Sequence, residues 1–281
     1  MKKYFLFDKI IQSDKTSSFA TAAKTLIALL EIDAIPFKDA KADVGSEMLG
    51  LDKMKFYERN AYTLSLASIE QRDILCFENS SFTSLWMTKE ALLNDEDLKN
   101  IIAQRLSKSN IVLNLSSNIL TLETVLEEEI GFGKLKTMIK HPFAQFSVAL
   151  FLGTSTCRAK KHTDTALSET LLDLVGAKRI AYASAYESDG FEVLDISTPL
   201  AYGLASKAML DMFDNAADFV VVTDARSLVM FDFYQKALEK SVQREIELSV
   251  LSLAQVLLLA FGIVDKKSLG LDQHKVPATL I

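Results

Sequence analysis

The chain has 281 residues, 49% hydrophobic and 24% charged, with only 10 Gly and 4 Pro. That is enough apolar side chain to offset the conformational entropy of folding, which excludes a disordered polypeptide and leaves room for two cores. A net charge of −6, with no Lys/Arg run interleaved with aromatics, excludes the electrostatic footprint of a nucleic-acid binder.

The start, MKKYFLFDKI, reaches Asp8 and Lys9 before an apolar stretch develops, so no secretory leader is expected. With only two cysteines, Cys76 and Cys157, this predicts a reducing, cytoplasmic compartment. Residues 4–7 (YFLF) read as a buried strand, and Phe19, Ala23, Leu26 and Leu30 recur at helical spacing over 17–30. A short strand follows at 34–37 (AIPF), then a loop through Gly45 and a helix over 54–68. A second buried strand is expected at 73–77 (DILCF), and a helix over 82–92. Strands alternating with helices imply right-handed crossovers and a mostly parallel sheet covered on both faces.

Residues 120–140 (TLETVLEEEIG, then KLKTMIK) read as a helix, a stop at Gly131 or Gly133, and a second short helix. Neither part is Pro- or Ser-rich, which predicts a packed connector rather than a tether. The earlier order then returns: a strand at 148–152, a helix over 165–175, a strand at 179–182, a loop through Gly190, a helix over 199–213 and a strand at 219–223. Residues 248–264 (LSVLSLAQVLLLAFGIV) are apolar but short and carry Ser249, Ser252 and Gln255. They read as a buried helix, not a membrane span.

Aligning residues 24–37 (KTLIALLEIDAIPF) with 169–182 (ETLLDLVGAKRIAY) pairs Thr25 with Thr170, Leu26 with Leu171, Leu29 with Leu174 and Ile35 with Ile180, a shift of 170 − 25 = 145. The expected fold class is therefore α/β: two tandem pseudo-symmetric domains, each a small, mostly parallel sheet flanked by helices. Residues 1–115 form the first, 116–146 a helical connector, and 147–281 the second with its closing helix.

This order of segments resembles the B subunit of heterodisulfide reductase and its relatives, whose two repeated cysteine-rich domains each carry a C, CC, C-x-x-C pattern. The stretch EEEIGFGKLKTMIKHPFAQFSVALFLG is similar to the family's connector running into its second domain. AADFVVVTDARSLVMFDFYQ resembles its strand ending in a cysteine pair, DILCFENSSFTSL the matching strand of the first half, and ELSVLSLAQVLLLAFG its closing helix. Carried over by position, the first-half cysteine sites fall on Asp8, on Asp43 and Val44, and on Glu78 and Ser81; the second-half sites fall on Thr154, on Ser188 and Asp189, and on Asp224 and Ser227. None is cysteine. The matched sites are offset by 154 − 8 = 146, 188 − 43 = 145, 224 − 78 = 146 and 227 − 81 = 146, a regularity at loop positions that duplication predicts and apolar periodicity does not.

The resemblance implies the family's two-domain body and a protein partner, a subunit of a redox complex. Iron–sulfur clusters are held mainly by thiolates, so with these cysteines replaced no cofactor is expected. The resulting reading is a non-catalytic interaction or scaffold protein. The alternative is an enzyme or sensor that takes a small ligand or a hard cation, Mg or Ca, in the acidic clefts. Asp and Ser also suit helix N-caps whatever the function, as in Thr223-Asp224-Ala225-Arg226-Ser227. No catalytic, cofactor-binding or metal residue is assigned: His141, His162 and His274 show no zinc spacing, and FLGTSTC has a single glycine where a phosphate loop needs several. His141 and His162 read as surface residues. Cys76 reads as a buried apolar side chain. Cys157 lies beside Arg158, Lys160 and Lys161, surroundings that lower a thiol pKa, though no base is identifiable near it.

Overall fold

The chain is described by a computed structural model over residues 2–9, 15–158 and 165–279, with the backbone alone for Cys157 and Thr165. Strands β1 (Tyr4–Phe7) and β7 (Phe219–Val222) are buried at every residue, and β3 (Asp73–Cys76) and β5 (Ser147–Phe151) at all but the first. Unbroken burial of this kind requires a sheet covered on both faces, which parallel crossovers provide. With β2 (Ala34–Pro36), β4 (Ile119–Thr121), β6 (Lys178–Arg179) and β8 (Ser249–Ser252) they form two four-stranded sheets, ordered β2-β1-β3-β4 and β6-β5-β7-β8, and every pair is parallel.

The two sheets share one topology with a drifting register. Glu78 and Asp224 are the N-cap residues after β3 and β7, which makes Asp73 equivalent to Phe219, at 219 − 73 = 146. Their partners Tyr4 and Val148 then differ by 148 − 4 = 144, and the next partners, Ala34 and Arg179, by 179 − 34 = 145. The same register sets Asp8 against Leu152, two residues ahead of Thr154.

Contacts divide the chain into one unit of Met1–Ile11 with Ile32–Val125 and a second of Gln12–Glu31 with Leu126–Ile281. Helix Ser17–Leu29, which follows β1 in sequence, therefore belongs to the second unit. There it packs on helices Leu253–Ala260 and Lys266–Leu269, and Thr25 Oγ1 donates to the Ser268 carbonyl at 2.8 Å. Gly270, at φ +69°, lies so close that a Cβ would sit 2.7 Å from Ser18 Cα. In the first unit, helices Lys53–Ile69, Asn79–Asn94 and Glu96–Ser107 carry a core of Phe56, Leu92, Leu98 and Ile102.

Two segments differ from the sequence reading. The stretch 120–140, read as starting in a helix, begins in β4; a short helix (Leu122–Val125) and a π-helical turn (Leu126–Ile130) follow, and Gly131 at φ +79° makes the stop before helix Phe132–Met138. The apolar run 248–264, read as one helix, is β8 followed by helix Leu253–Ala260. A capping box divides them: Ser252 Oγ accepts from the Gln255 N–H at 3.2 Å, while Gln255 Oε1 accepts from the Ser252 N–H at 2.8 Å. Continuous apolar runs hide their period, so a short strand running into a helix looks like one long helix.

Candidate functional site

In each sheet the chain leaves the first strand for a neighbour on one side and later returns on the other. The carboxyl ends of β1/β3 and of β5/β7 are therefore topological switch points, where open parallel sheets hold ligands. The residues onto which the resemblance carries the family's cysteines are found near these ends, each unit holding its own set.

In the first unit the loop after β2 is tied to the end of β1, because the Asp43 N–H donates to the Lys9 carbonyl at 2.9 Å. Asp43 is buried and its Oδ1 accepts from the Gly45 N–H at 3.0 Å. Glu78 caps helix Asn79–Asn94 by position, and Ser81, one turn in, donates its hydroxyl to Glu78 Oε1 at 2.6 Å. Cys76 ends β3 between these acids: burial first, then the Glu78 and Asp43 carboxylates, push its thiol well above the usual range and keep it protonated. Asp8 is half-buried, and Val44 packs instead against the Phe56 core.

In the second unit the polar side chains are joined more completely. Thr154 and Ser188 both donate to Glu192, at 3.0 and 2.9 Å. Ser227 donates to Asp189 Oδ2 at 2.6 Å, and the Phe191 N–H to Asp189 Oδ1 at 2.9 Å. Asp224 caps the next helix by accepting from the Arg226 N–H at 3.0 Å. Burial, then the Glu192 carboxylate, raise the Asp189 carboxyl to about 7; the hydrogen bonds from Ser227 and the Phe191 N–H oppose this, and Asp224 adds to it. Gly190 seats the loop at φ +81°, where a Cβ would lie 2.3 Å from the Ala201 carbonyl oxygen, and the Arg226 guanidinium lies 5.2 Å over the Phe191 ring. Glu192 was not singled out by sequence, where its only signal is an acid four residues beyond Ser188 in a glycine-containing loop.

These residues do not fit an iron–sulfur cluster. The ten positions offer carboxylates, hydroxyls and one valine but no thiolate, and Ser81, Thr154, Ser188 and Ser227 spend their protons on neighbouring carboxylates. Among the described residues no group of three or more His, Cys, Asp or Glu is arranged to hold a metal ion. His141 is exposed; the His274 side chain is buried, its Nε2 2.8 Å from Gln255 Nε2 and its Nδ1 3.5 Å from Asp232 Oδ1. His162, Lys160, Lys161 and the Cys157 side chain lie outside the described residues.

Residues 191–275 match the HdrB-like C-terminal domain family. The 8-methylmenaquinol:fumarate reductase membrane anchor subunit of Wolinella succinogenes is 26% identical over 235 residues, covering 82% of this chain and 81% of that protein. A crystal structure of a hypothetical protein from Helicobacter pylori shares the fold at a TM-score of 0.85 and 20% identity; it matches the whole of this chain, which spans 53% of that one. Residues 191–275 are thus HdrB-like, the chain takes an α/β fold, and its having only two cysteines is consistent with loss of the cluster-binding set. Among the described residues no helix is long and apolar enough to cross a membrane.

Proposed function

We propose that this chain is a non-catalytic, HdrB-like interaction or scaffold subunit, working in the cytoplasm within a redox assembly and without an iron–sulfur cluster. One observation carries the reading: at the positions onto which the resemblance carries the family's cysteines, two serine hydroxyls are spent on neighbouring carboxyl groups, Ser227 on Asp189 and Ser81 on Glu78. These hydroxyls serve the local structure: Ser227 ties the loop at Asp189 to the helix after β7, and Ser81 turns back on Glu78 at the start of helix Asn79–Asn94. The likeness to a subunit of a fumarate reductase supplies the partner class, other subunits of a redox complex.

Protein purified without oxygen is expected to be colourless and free of stoichiometric iron and labile sulfide, and to stay so after incubation with ferrous iron and sulfide. Tagged protein isolated from its own cells should carry a stoichiometric redox subunit. Iron and sulfide together, or recovery as a free monomer, would overturn the proposal. The acids Asp8, Asp43 and Glu78 of the first unit define the alternative, a cation site, which the melting temperature in millimolar Mg or Ca tests. The scaffold reading expects no saturable rise and a neutral or mildly stabilising Asp43→Asn. A rise abolished by Asp43→Asn and untouched by Lys266→Ala would make the pocket a cation site.

A further inference from the structure

Where the connector enters the second sheet, a cavity of about 330 Å3 opens between residues 141–146 and the end of helix Leu253–Ala260. Phe143, Phe146, Leu259 and Val264 line it, with His141 at its rim. The volume is at the low end for small-molecule sites, roughly 300–1,000 Å3, and suits a small aromatic or short aliphatic body. Val264 is 79% exposed, leaving an apolar lip in water.

The walls are held in place. The Lys140 and His141 N–H groups both donate to the Ala260 carbonyl, at 2.8 and 3.0 Å, and the Phe143 N–H to the Val175 carbonyl at 2.8 Å. The Phe143 ring packs 5.6 Å from Phe146 and 5.8 Å from Phe219, and Phe146 lies 5.7 Å from Phe219. Gly262 adopts φ +87°, and a Cβ there would meet Lys140 Cδ at 3.1 Å and His141 Cδ2 at 3.5 Å. The missing side chain lets the Lys140 stem and the His141 ring lie together at the mouth. Lys140 is exposed, and among the described residues no carboxylate pairs with it. Unpaired positive charge beside an apolar hollow favours a ligand with an acid at one end and hydrocarbon at the other.

We propose that this groove binds a small apolar carboxylate, its hydrocarbon against Phe143, Phe146 and Leu259 and its acid at Lys140 and His141. The test titrates the intact protein with sodium octanoate and 1-naphthoate, followed by calorimetry and by 15N–1H correlation spectra. Expected are saturable one-to-one binding, shifts centred on 140–146 and 259–264, and about a ten-fold weaker affinity in Lys140→Glu. Asp43→Asn, in the other unit, should bind as the unaltered protein does, so this result stands apart from the scaffold reading. Equal binding of octanol and naphthalene, an unchanged affinity in Lys140→Glu, or shifts elsewhere would overturn the proposal. Recruitment to anionic phospholipid vesicles without octanoate binding would also overturn it, by making the surface a lipid contact.

Discussion

Raising the pH through neutrality should weaken the fold by way of Asp189. Burial, then the Glu192 carboxylate, and to a smaller extent Asp224, disfavour its charged form; the hydrogen bonds from Ser227 and the Phe191 N–H offset this only in part, so the carboxyl moves from 3.8 to about 7. Between those values the folded protein keeps a proton that the unfolded chain releases, and stability then falls as pH rises. The contribution is greatest in acid, declines from about pH 4, and is fully lost above about pH 7. Some three pH units at about 1.36 kcal/mol each amount to roughly 4 kcal/mol, a large part of the 5–15 kcal/mol typical of a domain, about which the protein is balanced. Asp214, Glu239 and Asp265 are shifted downward; what they contribute is present above the ordinary carboxylate range and lost only in acid, outside this window. Urea unfolding at about pH 5, 6, 7 and 8 measures the slope. Asp189→Asn removes the titration while keeping an acceptor for the Phe191 N–H, so it should flatten the curve and unfold later than the unaltered protein at about pH 8. A flat or rising stability in the unaltered protein, or the same slope in Asp189→Asn, would refute the reasoning.

Gly190→Ala should cost at least about 2 kcal/mol in urea unfolding, since it adds a Cβ 2.3 Å from the Ala201 carbonyl oxygen at φ +81°; a loss within about 0.5 kcal/mol would mean the loop sits elsewhere. Phe231→Ala empties a fully buried site whose ring meets Phe151 edge-on at 4.8 Å, and a loss of about 3–5 kcal/mol is expected. Cys76, buried with its thiol kept protonated, should resist iodoacetamide in the native protein and react in urea, as peptide mass spectrometry can read; native labelling at Cys76 would show that the end of β3 is open.

The central strands were legible because YFLF, DILC, VALF and FVVV are unbroken apolar runs set between helical periodicities, which only a doubly covered parallel sheet accommodates. The duplication was legible too: loop residues such as Glu78 and Asp224 keep their spacing because each follows an equivalent strand end. Edge strands β4 and β8 were not, because three or four residues running into a helix give no period of their own; the Ser252–Gln255 capping box is the local signal that divides β8 from helix Leu253–Ala260. The sequence by itself determined the central strands and the long helices between them, since local periodicity sets backbone geometry. Only the tertiary structure decided that helix Ser17–Leu29 buries its apolar face in the second unit, that Glu192 accepts from both Thr154 and Ser188, and that Asp189 holds its proton near neutral pH. Each draws on a partner remote in sequence, Ser268 lying 243 residues from Thr25, Thr154 38 from Glu192 and Ser227 38 from Asp189, and both burial and Coulomb energy follow distance in space rather than distance along the chain.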